Sequence, residues 1–68
     1  MNEIQFQKPN TNLFALVKWD GEIFHVETEE YDPETEENNH IDSFKLKINS
    51  FSLWLKNGRW IVSWQSNI

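Results

Sequence analysis

Both glycines of this 68-residue chain sit in turn pairs, Asp20-Gly21 and Asn57-Gly58, and each pair separates two apolar runs. Asp-Gly and Asn-Gly are the preferred pairs of the type I′ turn, which needs φ > 0 at both central residues and closes a two-residue β-hairpin. The stretch FSLWLKNGRWIVSW, residues 51–64, then reads as a hairpin with Leu55 opposite Trp60 and Trp54 opposite Ile61. Side chains alternate faces along a strand. Phe51, Leu53, Leu55, Trp60, Val62 and Trp64 therefore form a core face. Trp54 and Ile61 are left as an aromatic–aliphatic pair among Ser52, Lys56, Arg59 and Ser63 on the solvent face.

The Asp20-Gly21 hairpin follows the same logic. Trp19 is set opposite Glu22, Val17 opposite Phe24 and Leu16 opposite His25. One face holds Leu13, Ala15, Val17, Trp19, Phe24 and Val26. The other carries Phe14, Leu16 and Ile23 beside Lys18, His25 and Glu27, so this hairpin is apolar on both sides. Glu3 to Gln7, with Ile4 and Phe6 on one side, reads as a short edge strand, and Lys8 to Asn12 as a turn. His40 to Asn49, where Phe44, Leu46 and Ile48 alternate with Ser43, Lys45 and Lys47, reads as a half-buried strand with a basic solvent face. Ser66 to Ile68 reads as a polar tail. The expected fold is all-β: a small antiparallel sheet or barrel of five to six strands, in the size range of SH3-like and OB-like barrels. The whole of 1–68 is expected to be a single domain.

A chain this short buries only about 60% of its unfolded surface and needs a staple. It has no cysteine, so the staple falls to its aromatics, four Trp, five Phe and one Tyr, each of which buries roughly 150–250 Å².

The net charge of −5 is not spread evenly. Residues 27–37 contain seven acids (Glu27, Glu29, Glu30, Asp32, Glu34, Glu36 and Glu37) and no base, and the rest of the chain is +2. Like charges this dense repel, so residues 28–39 read as an acidic mobile loop. Asp32-Pro33-Glu34 allows one helical turn within it. Asp32, Glu34 and Glu36 alternate in the manner of Ca²⁺ ligands, but Pro33 intervenes and no Gly supplies the sharp turn, so no dedicated metal site is expected. Neither His25 nor His40 sits in a nucleophile–base motif, and both glycines are used by turns, which leaves no phosphate cradle. No enzymatic activity and no cofactor is expected.

The end of the chain, LKNGRWIVSWQS (55–66), resembles the closing hairpin of the nuclear-transport-factor-2-like family, in which a turn precedes a Trp-bearing strand. That resemblance places no site residue here. The first residues lack the features of a signal peptide, and no apolar run reaches the roughly 18 residues of a membrane span. The reading is a cytoplasmic chain with no membrane contact.

These features give an expected function: a small acidic, non-enzymatic protein-binding module, an inhibitor or modulator that docks on a basic partner surface. The acids Glu29, Glu30, Asp32, Glu34, Glu36 and Glu37 supply steering, and Tyr31, Trp54 and Ile61 supply the desolvated contact. Two alternatives remain. One is nucleic-acid binding through Lys45, Lys47, Lys56, Arg59 and Trp54, against which the acidity argues. The other is a homo-oligomer that buries Phe14, Leu16 and Ile23.

Overall fold

The structure, a computed structural model, describes residues 2–67. Five strands and one helix follow in the order β1 (Asn2–Gln7), β2 (Leu13–Trp19), β3 (Phe24–Asp32), β4 (Glu37–Leu46), α1 (Ile48–Gly58) and β5 (Ile61–Asn67). All strand pairs are antiparallel, in one sheet of order β4-β3-β2-β1-β5. The sheet is mostly what the alternation predicts, but it is open and not a barrel, because β4 and β5 lie at opposite edges. The expected polar tail is instead strand as far as Asn67, with Ile68 outside the described residues.

The Asn57-Gly58 hairpin does not form. Residues 48–58 are helical, and the turn half of the family resemblance falls on that helix. Phe51, Trp54, Leu55 and Gly58 are spaced i, i+3, i+4, i+7, a helical period that coexists with the alternating one. Only the helical period lets Phe51 reach the sheet. Its ring packs edge-on to Phe6 (5.9 Å) and stacks on Phe24 (3.9 Å). The helix ends in a Schellman motif: Arg59 is left-handed (φ 56°), the Trp60 amide donates to the Leu55 carbonyl (3.1 Å) and the Arg59 amide to Lys56 (3.3 Å). The hydrophobic contact usual to that motif is the stack of Trp60 on Trp54 (4.9 Å).

This reassigns the faces. Leu53, expected in the core, is 60% exposed, and Val62 and Trp64 are exposed at 55% and 53%. Ile48, read as the end of a strand, opens the helix and is 60% exposed. The core consists of Phe6, Ala15, Val17, Val26 and Phe51, with Ile4, Phe24, Phe44, Leu46, Trp54, Leu55 and Trp60 packed around it. Its staple is an aromatic ladder running Trp19, Phe24, Phe51, Trp54, Trp60, and the Lys8 ammonium lies 5.7 Å from the Trp60 ring.

Two further expectations change. The strand at 3–7 is not an edge; β1 is interior and pairs with both β2 and β5. The Asp20-Gly21 loop is four residues, not two, because Asp20 Oδ1 accepts from the amides of both Glu22 and Ile23 (2.8 Å each). Trp19 consequently pairs with Phe24 and Val17 with Val26. The register moves by two residues, so the side chains that remain in the strands keep the faces expected of them, while Glu22 and Ile23 fall in the loop.

Candidate protein-binding surface

The segment 28–39, read as a loop, is paired strand except for a turn at residues 33–36. Its strands join because the turn chemistry is favourable. Asp32 Oδ1 accepts from the Glu34 amide (2.9 Å), the Glu36 amide donates to the Asp32 carbonyl (2.8 Å), and Glu36 takes a left-handed φ of 58°. The single helical turn read at Asp32-Pro33 thus survives as one i→i+4 turn and reverses directly into β4. Tyr31 ties the hairpin to the preceding loop through its amide, which donates to the Asn12 carbonyl (2.9 Å).

The register assigns a neighbour to each acid. Glu29 lies opposite His40, Glu30 opposite Asn39, Tyr31 opposite Asn38, and Asp32 opposite Glu37. A bulge at Ile41 interrupts β4, since Thr28 pairs with Asp42 and Glu29 with His40. Strand β2 ends beside Glu30, so Asp32 to Glu37 extend past the body of the sheet. None of the seven acids is ion-paired with a described residue. The ion pairs among described residues lie elsewhere, Lys18 with Glu3 (3.5 Å) and His25 with Asp20 (2.7 Å). The direct Asp32–Glu37 opposition is unfavourable in itself. Tyr31, 39% exposed, is the aromatic that accompanies these charges.

The other expected contact residues are dispersed. Trp54 is half-buried in the ladder, edge-on to Phe44 at 5.7 Å, and does not pair with Ile61. Ile61 is exposed at 55%, but it lies on β5, three strands from β3. The basic residues do not form one patch either. Lys45 pairs with His25 in the sheet, Lys47 precedes α1, and Lys56 and Arg59 lie at its far end, about 16 Å away for an 11-residue helix. Of the apolar set assigned to self-association, Phe14 and Leu16 are half-buried on the sheet face opposite α1.

Among the described residues, Asp20 is the one group whose acidity is strongly shifted. The Ile23 amide, the His25 ring and the Glu22 amide hold its carboxylate at about 2, below the ordinary 3.8. This group closes the β2–β3 loop and has no reactive partner beyond His25. No three His, Asp or Glu side chains among the described residues are grouped to hold a metal ion. A groove of about 350 Å³ is lined by the apolar residues Ile4, Val17, Trp19, Phe24 and Ile48. No helix among the described residues is long and apolar enough to cross a membrane. Comparison with protein-family models, curated proteins and solved structures gives no match to this chain.

Proposed function

We propose that this chain is a non-catalytic protein-binding module that docks its acidic β3–β4 hairpin on a basic surface of another protein, acting as an inhibitor or modulator by occupying that surface. One observation carries the reading: of seven acids with no ion-paired partner among the described residues, five are displayed on hydrogen-bonded strands and two, Glu34 and Glu36, on the turn that joins them, rather than on a slack loop. A chain that needs acids only for solubility gains nothing from opposing Asp32 to Glu37. A surface that meets a cationic partner gains long-range attraction and a fixed pattern of charge. Tyr31 replaces Trp54 as the aromatic anchor, because Trp54 is committed to the core ladder and Tyr31 sits among the charges.

Capture of partners from the source cell, with wild type against a Glu34→Gln, Glu36→Gln, Glu37→Gln chain, tests this. The expected result is a partner held by wild type and lost by the variant. The association rate should also fall by about tenfold or more between low and high salt. A rate indifferent to salt overturns the reading. Binding of single-stranded oligonucleotides at low salt would favour the nucleic-acid alternative instead.

A further inference from the structure

An open sheet has two edges, and these two are not alike. Strand β4 carries Glu37, Asp42 and Lys45 and is broken by the bulge at Ile41, the usual defences of an edge that must not pair. Strand β5, Ile61–Asn67, has no charge and no proline. Ile61, Val62 and Trp64 stand 53–55% exposed along it. Its one irregularity, the extra residue at Ser63, is absorbed on the inner side, where the Ser63 hydroxyl donates to the Gln5 carbonyl (3.1 Å). The bulge also brings Ile61 and Trp64 onto one face, since they lie opposite Gln7 and Gln5. Trp64 there borders an open groove of about 190 Å³ with Leu16 and Lys18.

We infer that β5 pairs with the β5 of a second copy of this chain, antiparallel about a two-fold axis, to make a continuous ten-stranded sheet. Charge selects the occupant. An uncharged strand has nothing to offer a basic peptide, which the acidic hairpin would attract to the other edge; it matches another uncharged strand with exposed apolar side chains, and the chain's own β5 is one. Charge also selects the edge. Pairing through β4 would set two −7 hairpins side by side. Pairing through β5 puts them at the outer ends, roughly 35–45 Å apart at about 4.8 Å per strand, several Debye lengths of ~8 Å. Isologous pairing is the commonest form of self-association, and for a chain of this size it adds the missing staple.

Sedimentation equilibrium of the wild type, Val62→Lys, Trp64→Lys and, as a control on another exposed apolar side chain, Leu53→Lys tests this. The expected result is twice the 8.2 kDa chain mass for wild type and Leu53→Lys. Val62→Lys and Trp64→Lys should give the single mass with an unchanged circular dichroism spectrum. A second measurement needs no variant: amide exchange in residues 61–67 of the wild type should slow with rising concentration while exchange in β4 does not. A wild type of single mass up to about 1 mM, a double mass kept by both edge variants, loss of the double mass in Leu53→Lys, or exchange in β5 independent of concentration overturns the inference.

Discussion

Gly58 is needed for space rather than for backbone freedom. A Cβ there would run into the Nε1 and Cδ1 atoms of Trp60, which lies across the helix end to stack on Trp54. Gly58→Ala gains about 1 kcal/mol of helix propensity but forces the indole aside, an overpacking cost of about 1–3 kcal/mol. The variant should unfold at lower urea concentration and show an altered near-ultraviolet spectrum as the Trp54–Trp60 stack opens. Asp20 makes a different prediction, in acid. Its folded-state acidity is lowered from the ordinary 3.8 to about 2. The stability it contributes is therefore fully present above 3.8 and is lost as pH falls through about 2. The Tm difference between wild type and Asp20→Asn should be constant above that window and shrink within it. Asp20-Gly21 was legible as a hairpin turn. The loop length was not, because it depends on which amides the Asp20 carboxylate captures, and two residue types cannot state that.

The helix is where sequence and structure part. Phe51 to Leu55 satisfies a period of 2 through Phe51, Leu53 and Leu55, and a period of 3.6 through Phe51, Trp54 and Leu55; a short apolar run does not distinguish them. The ordinary start signal is missing. Lys47 occupies the N-cap with no side-chain hydrogen bond, and no acid lies in the first turn. The ordinary stop signal is displaced: Gly58 is followed by the left-handed Arg59, so Asn57-Gly58 imitates a hairpin turn. Tertiary packing decides, since only a helix can return from the β4 edge and place Phe51 on Phe24. Supplying the absent cap should therefore help. Lys47→Ser should stabilise the chain by about 1 kcal/mol, a rise in Tm of roughly 4–8 °C for a domain of this size. Thermal unfolding followed at 222 nm measures it, and an unchanged Tm would mean that the Lys47 backbone cannot present a capping hydroxyl. The candidate site divides in the same way. The clustering of the acids around Tyr31 was legible because charge density does not depend on fold, and the hairpin keeps them together. Trp54 was misplaced because its exposure followed from the hairpin assignment, and Val62 and Trp64 were assigned to the core for the same reason, whereas Ile61 is exposed as expected.

At the scale of the whole molecule, charge and apolar surface are segregated across the sheet. The acidic hairpin forms one end, the uncharged strand the other, and the helix covers a single face between them. The pairing of β1 with β5 sets residue 2 opposite residue 67, so the two ends of the described chain are neighbours in the sheet. The polypeptide is topologically a ring opened at one point, and that point is interchangeable with others. A circular permutant that joins the ends by a short Gly-Ser linker and begins within the 33–36 turn would keep every strand pairing of the native sheet. It would also convert the β1–β5 pairing, across which the Ser63 hydroxyl donates to the Gln5 carbonyl 58 residues away, into a local hairpin. The cut also makes the more extensive β3–β4 pairing, local in the native order, a contact between the new chain ends. The mean separation of contacts therefore rises and the permutant should fold more slowly than the native order, and stopped-flow refolding of the two chains makes that comparison directly.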